Sequence, residues 1–418
     1  MKRKRVEDCI RAVWIVLGVA VFLASSRAGD CPLGFEHLVL SQLWKFQTIL
    51  KVIGLGLVVV SVAGGLVDRL VKTALDGIDA WLLQDDRRCR VLLILLIAIY
   101  AITYGGVTFY RHYSFNSTGY DLAILDQVVW NTAQGRPFAR SVFGIQSQLG
   151  AHIRPYTAFL SLPYIVFPSP YVLLAFQSLV LALTALPIYR LSRRKFDSPA
   201  AGLIVVFCGL AYTPLGFLNR FDFHPEVAAV PLLTAAYERV DAADLKATVV
   251  LAGLALFAKE DIGVTVAALG LMIAFRYKHW LLGLLSSLVS VAYSATALLV
   301  IIPFFRGEPS HALSRYGWLG ETAFDVVRTI LSRPRFVLTN IVEANRITTL
   351  LQLLAPQAFM PVMSWSLILA VPSLLYHYLS RHFCQPTIYC QYMVPVIPSV
   401  LVSGVLGMHW LTTSERGK

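Results

Sequence analysis

YDLAILDQVVWNTAQGRPFARSVFGIQSQLGAHIRP, residues Tyr120–Pro155, is the longest polar interruption in the first half of an otherwise apolar chain. It carries two carboxylates (Asp121, Asp126), three arginines (Arg136, Arg140, Arg154) and His152. Apolar runs flank it, Val91–Val107 before and Tyr156–Phe167 and Tyr171–Leu191 after. A transmembrane helix needs about 20 apolar residues. A polar stretch framed by such runs therefore reads as a loop between spans, and the fold class as an all-α polytopic integral membrane protein.

Working outward, the apolar runs continue in both directions. Ile10–Ser25 and Val52–Val67 come first, followed by a charged segment from Asp68 to Arg90. Tyr156–Phe167 is short and contains Pro163, so a re-entrant or broken helix is expected there. Ala200–Phe217, Val227–Tyr237, Ala247–Phe275, Trp280–Phe305, Pro356–Leu379 and Tyr392–Leu411 complete the series. The expectation is about ten or eleven spans. Residues 1–90 read as an N-terminal membrane region of two helices and a cytoplasmic charged segment. Residues 91–418 read as the main transmembrane domain, with external loops near 108–155 and 306–352.

Bulk properties agree. Hydrophobic residues make up 57% of the 418 and charged residues only 14%, which makes lipid the solvent. The net charge of +12 comes from short basic clusters between apolar runs, a positive-inside pattern rather than a nucleic-acid face. The clusters Lys2–Arg5, Arg87–Arg90, Arg190–Lys195, Arg239–Lys246 and Arg276–Lys278 then lie in the cytoplasm. Tyr120–Pro155, Asn219–Glu226 and Arg306–Gln352 lie on the other side. Arg306, Arg315, Arg328, Arg333, Arg335 and Arg346 run against the rule. Either the long loop escapes it, or these arginines face an anionic ligand. The basic, then apolar N-terminus resembles a signal peptide but reads as an uncleaved first helix. Six cysteines show no CxxC spacing, so no disulfide framework is expected, and Cys384 and Cys390 are expected to remain unpaired. No Walker A or GxGxxG motif occurs, which argues against ATP-driven pumping.

Leu122, Leu125, Val128 and Val129 recur at helical spacing between Gly119 and Gly135, which predicts an amphipathic helix on the membrane surface. Asp121 opens it, as an N-cap or as a base or metal ligand. Asp126 lies about 140° further round and does not share its face. Trp130 follows Asp126 by one turn, as an interfacial anchor or a sugar-stacking platform. His152 and Arg154 precede Pro155, where they could hold a phosphate or share a proton. Phe221-Asp222-Phe223-His224-Pro225-Glu226 supplies three groups able to ligate a metal or move protons, or simply opens a helix. Lys259-Glu260-Asp261 interrupts a long apolar run. At the centre of one helix each charge would cost roughly 2.5–3.5 kcal/mol. The run therefore either faces a polar interior or breaks into two short helices. Asn116-Ser117-Thr118 fits the glycan acceptor pattern, which is frequent by chance.

The order YDLAILDQVVWNTAQGRPF, GAHIRPYTAFLSLPYIVFPSPY, FDFHPEVAAVPLL, LALFAKEDIGV resembles a family of prokaryotic polytopic membrane proteins catalogued as domain of unknown function 2079. That family is similar in plan to the GT-C glycosyltransferases, and the likeness covers roughly residues 100–305. It implies a GT-C-like fold with a large first external loop carrying a surface helix. It also implies transfer of a sugar from a polyprenyl-phosphate donor to an acceptor at the outer face of the cell inner membrane, with the N-terminus cytoplasmic. Asp121, with Asp126, would be catalytic. His152, Arg154, His224, Glu226, Lys259, Glu260 and Asp261 would bind substrate. Asp121 and Asp222 would hold Mg²⁺ or Mn²⁺ if a cation takes part. Membrane lipids and the lipid-linked sugar are the expected partners, and nucleic acid is not. Arg154 and Gln391 depart from the family pattern, which expects a small polar residue and a histidine there. The alternative is a secondary transporter or flippase of a lipid-linked or small anionic substrate, because interrupted helices also mark such proteins.

Overall fold

The computed structural model describes residues 65–310 and 312–414, and every element in them is helical. The expected spans Ile10–Ser25 and Val52–Val67 lie outside the described residues, apart from the last three positions of the second. Gly65–Leu83 (α1) precedes the longest helix, Asp86–Tyr113 (α2). Asp85 caps α2 by accepting the Arg87 N–H at 2.8 Å, and Arg111 and His112 occupy its last turn, where cations suit the helix dipole. A π-helical turn, Gly119–Ala123, leads into Ile124–Ala133 (α3). Then come Tyr156–Val166 (α4), Pro170–Ala182 (α5), Ala185–Phe196 (α6), Pro199–Leu210 (α7) and Thr213–Arg220 (α8). Ala229–Asp241 (α9), Leu245–Leu256 (α10) and Ile262–Arg276 (α11) follow. Trp280–Thr296 (α12) continues through a π-helical stretch into Ile302–Arg306 (α13). Ala323–Ser332 (α14), Pro334–Ile341 (α15) and Ala344–Leu354 (α16) form the late loop. Val371–Tyr378 (α17) and Ile397–Ser414 (α18) close the chain.

The molecule is an all-α membrane protein. Among the described residues, three helical stretches are long and apolar enough to cross a bilayer, Asp86–Tyr113, Pro170–Phe196 and Trp280–Arg306. The pair α7–α8, bent by 48°, makes a fourth if taken as one span. The other expected spans are shorter. Ala247–Phe275 is resolved as two helices, α10 and α11, so its charged triplet sits in the gap between them and not inside one helix. Within Tyr156–Phe167 an 11-residue helix, Tyr156–Val166, runs through Pro163 and ends before the next helix starts at Pro170. At 1.5 Å per residue it reaches only about 16 Å, half a hydrocarbon core.

Packing follows the same division. The buried core runs through Leu181, Ile188, Val206, Leu233, Ile273, Ile397 and Val400, contributed by α5–α7, α9, α11 and α18. The peripheral helices turn their apolar side chains outward, Ile94, Ile99 and Ile102 on α2 and Leu281, Leu288 and Val289 on α12. Helices α11 and α12 come close because a Cβ at Gly270 would lie 2.7 Å from the Gly283 carbonyl oxygen. Small residues at such a contact let two helices meet by van der Waals packing, and here the Ser287 hydroxyl also donates to the Ala267 carbonyl at 2.8 Å.

Two expectations are corrected. The apolar stripe of the predicted surface helix meets protein rather than lipid. Leu122, Leu125 and Val129 pack against Leu160, Tyr164, Leu173 and Phe223. Cys384 and Cys390 are disulfide-bonded. The chain between them folds back through turns in which Gln385 N–H donates to His382 O and Thr387 N–H to Cys384 O, both at 3.2 Å. That compaction leaves the two Cα atoms 6.1 Å apart, inside bridging range although the motif has no CxxC spacing.

Candidate functional site

The segment after α8 is held by a buried amide from another helix. Gln177 on α5 donates to the carbonyls of Asn219 at 2.8 Å and Phe221 at 3.0 Å, and accepts the His224 N–H at 3.1 Å. Pro225 then starts a short helical turn at a position where its missing N–H costs nothing, with Glu226 behind it. Asp222 is also structural. One oxygen faces Arg111 of α2 at 3.2 Å, and the other accepts Thr118 N–H at 2.7 Å and the Thr118 hydroxyl at 2.6 Å. Both oxygens are taken, so Asp222 does not join Asp121 as a ligand pair. Among the described residues no three His, Cys, Asp or Glu side chains converge as metal ligands.

Asp121 meets His224, its Oδ1 3.1 Å from Nε2. The other imidazole nitrogen lies 2.7 Å from the Asp222 carbonyl oxygen, which can only accept, so Nδ1 carries a proton. One proton must then sit between Nε2 and the carboxylate. Burial lowers the His224 pKa, but Asp121 and Glu226 outweigh it and raise it above the ordinary value. Burial raises the Asp121 carboxyl, and His224, Arg154 and His152 together hold it below its ordinary value. Both shifts favour the imidazolium–carboxylate form of the pair.

Glu226, 1% exposed, is the hub. Its Oε1 accepts from Arg154 at 3.1 Å and lies 3.7 Å from the Lys259 ammonium. Lys259 also pairs with Asp261 at 2.9 Å and lies 5.4 Å from the centre of the Tyr392 ring. Burial raises the Glu226 carboxyl, yet Arg154, Lys259 and His224 hold it low. Burial lowers the Lys259 ammonium, yet Asp261, Glu226 and Glu260 hold it high. Arg154, the departure from the family pattern, is thus a counterion to Glu226. The neighbouring Glu260 turns the other way. Its Oε1 lies 2.7 Å from His152 Nδ1, its Oε2 accepts Ile153 N–H at 3.0 Å, and its backbone carbonyl accepts the Ser294 hydroxyl of α12 at 2.6 Å. The 148–155 loop docks on the α10–α11 gap because Tyr156 donates its N–H to Phe257 O at 3.2 Å and its hydroxyl to Leu254 O at 3.0 Å.

A cavity of about 160 Å³ opens beside this network. Its walls include His152, Lys259, Glu260, Asp261, Arg306 and Arg315. Ligand pockets for drug-sized molecules run to about 300 Å³ or more, so this one is small by comparison. Arg315 donates to Gln385 Oε1 at 3.1 Å and to the Tyr392 hydroxyl at 3.4 Å, both neutral. Among the described residues neither Arg306 nor Arg315 has a carboxylate partner. Burial and the nearby charges of Arg306 and Arg154 lower the Arg140 guanidinium, a sign of surplus positive charge on this side.

The structure therefore brings together Asp121, His152, Arg154, His224, Glu226, Lys259, Glu260 and Asp261. Asp126 stands apart, receiving the Tyr164 hydroxyl at 2.6 Å and joining α3 to α4. Trp130 carries the Arg136 guanidinium over its ring at 5.2 Å. Asp121 does not line the cavity, whereas His152 does. Sequence reasoning missed the supports Arg111, Thr118, Gln177 and Ser294. Arg306 and Arg315 had left a trace as arginines on the wrong side of the charge rule.

A family model described as a predicted membrane protein (DUF2079) matches residues 111–417, which take in every residue of this network. No curated protein and no solved structure matches the chain. The chain belongs to the DUF2079 family of predicted membrane proteins.

Proposed function

We propose that the protein transfers a sugar from a polyprenyl-phosphate donor to an acceptor at the outer face of the cell inner membrane. The observation that carries this reading is the cavity with Lys259, Arg306 and Arg315 in its walls, two of them without a carboxylate partner among the described residues. A guanidinium pairs well with phosphate oxygens, and here two stand beside an ammonium. A lipid phosphate with one bound sugar presents a small anionic head to such a cavity while its chain stays in the bilayer.

The orientation has separate support. Arg190, Arg194 and Arg239 gather around the buried Glu238, with Arg193 beside them on Asp86, at the ends of α6 and α9 away from the network. These fit the cytoplasmic side by the positive-inside rule. The Cys384–Cys390 bridge flanks Gln385, the partner of Arg315, and disulfides persist in oxidising compartments. Helices α9–α11 have 13, 12 and 15 residues, about 18–23 Å of rise. Measured from the basic side, they end short of a hydrocarbon core about 30 Å thick, so the network lies recessed and opens outward.

The test is to extract the protein gently and identify what stays bound by mass spectrometry, for wild type and for Arg306→Ala/Arg315→Ala. Retention of a polyprenyl phosphate or its glycosylated form by wild type, and its loss in the variant, is the expected result. Bulk phospholipid in both, with a soluble solute retained instead, would replace the transferase by a transporter.

A further inference from the structure

We propose that His152 is the proton acceptor of the cavity and that Glu260 is its positioning residue. The inference rests on the transferase reading above and names the group that would serve its acceptor.

The geometry is that of an oriented base. Glu260 is 4% exposed and both its oxygens are used, one by His152 Nδ1 at 2.7 Å and one by Ile153 N–H at 3.0 Å. A carboxylate can only accept, so the imidazole donates from Nδ1, and a neutral ring keeps its lone pair on Nε2. The backbone bond from Ile153 and the Ser294 hydroxyl on the Glu260 carbonyl fix both partners from the loop side and from α12. The His152 side chain is 31% exposed, against 5% for Glu260, and lines the cavity with Lys259, Arg306 and Arg315. His224 offers no such lone pair, because its two nitrogens are engaged by Asp222 and Asp121. The ring stays neutral for a physical reason. Burial lowers the His152 pKa, the Glu260 charge opposes it, and Arg154 and Lys259 add to the lowering. Arg306, Arg315 and Asp261 are the remaining charged groups on the cavity walls.

In the step, the acceptor hydroxyl oxygen bonds to the anomeric carbon of the donor sugar. The bond from that carbon to the phosphate oxygen breaks, and its electron pair leaves on the polyprenyl phosphate beside the cavity cations. The hydroxyl proton passes to His152 Nε2 and from there to water.

Two measurements test this on the full chain in detergent. The first uses diethyl pyrocarbonate, which acylates a free neutral imidazole nitrogen, with peptide mass spectrometry to locate the adduct. His152 should react, His224 should not, and an added polyprenyl monophosphate should protect His152. Glu260→Gln should move the pH dependence of the His152 reaction to lower pH, because the charge that raises the imidazole is gone. A His152 that is inert, or that no polyprenyl phosphate protects, overturns the proposal whether or not transfer is ever seen. The second compares turnover and donor retention in His152→Ala and Asp121→Ala. His152→Ala should lose about a hundredfold or more in turnover, the usual share of a general base, while still retaining donor. Turnover within about twofold of wild type for His152→Ala overturns the proposal. A wild type that retains no lipid phosphate sinks the transferase reading itself, and the labelling result then decides the fate of the His152–Glu260 pair.

Discussion

Glu226→Gln removes one negative charge from the centre of the network and almost nothing else. The amide has the same shape, and its carbonyl can still accept from Arg154. The charge it deletes lies 3.1 Å from the Arg154 guanidinium and 3.7 Å from the Lys259 ammonium. At an effective dielectric of about 20, Coulomb's law gives about 5 kcal/mol for the first pair and about 4–5 kcal/mol for the second. Part of this is offset, since the neutral amide spares the cost of stripping a carboxylate of water. What remains is the usual result of orphaning a buried ion pair, a loss of about 3–5 kcal/mol. Unfolding in mild detergent, followed by tryptophan emission against denaturant, reads the loss as an earlier midpoint. Adding Arg154→Met to Glu226→Gln should recover part of it, because Lys259 keeps Asp261 at 2.9 Å whereas the Arg154 guanidinium is the cation left buried without its carboxylate. Glu226→Gln within about 1 kcal/mol of wild type would refute the reasoning, since the Arg154 guanidinium would then have water or another anion beside it.

Three further outcomes are expected. His224 has its pKa raised above the ordinary 6.5, so its stabilisation is fully present below that pH and is lost as pH rises through the folded value. Glu260 behaves in the opposite sense: burial raises its carboxyl, but His152, Lys259 and Arg154 hold it below the ordinary 4.5, so it contributes above that pH and loses its contribution as pH falls through the lowered value. Unfolding midpoints across pH should therefore lose their alkaline decline in His224→Gln and their acid decline in Glu260→Gln. Cys384→Ala/Cys390→Ala should cost about 2 kcal/mol, as a short closed loop does, and alkylation without reductant should leave both wild-type cysteines unlabelled. Gly270→Ile should push α11 off α12, because its side chain would meet the Gly283 carbonyl, and size-exclusion chromatography should show aggregate in place of a single peak.

Much of the fold was legible because lipid imposes a coarse rule on the chain, and apolar runs announce themselves. The Lys259-Glu260-Asp261 triplet was legible for the same reason, as three charges in an apolar run demand an interior or a break. The structure supplies both, a gap between α10 and α11 in which Lys259 and Glu260 are buried. The pairing was not legible. His152 and Glu260 are 108 residues apart, and Arg154 and Glu226 are 72 apart, distances over which no periodicity speaks. Nor could spacing separate Asp121 from Asp126. One ends at a histidine from the 221–226 segment and the other at a tyrosine from α4, and only tertiary packing decides which. The disulfide escaped because a folded-back turn, not a motif, brings its cysteines together.

The order in which the network's members leave the ribosome matters for how it can be built. Every counterion for the 259–261 triplet outside the triplet itself comes earlier in the chain, His152 for Glu260 and Glu226 for Lys259. Arg154 likewise precedes Glu226. The later member of each pair thus enters the membrane when its partner has already been delivered. The cavity is different. Arg306, Arg315 and Tyr376 arrive last, so the nascent protein neutralises its own charges first and acquires its surplus positive wall only near the end of synthesis. A chain truncated after α11 would hold the paired network without the pocket.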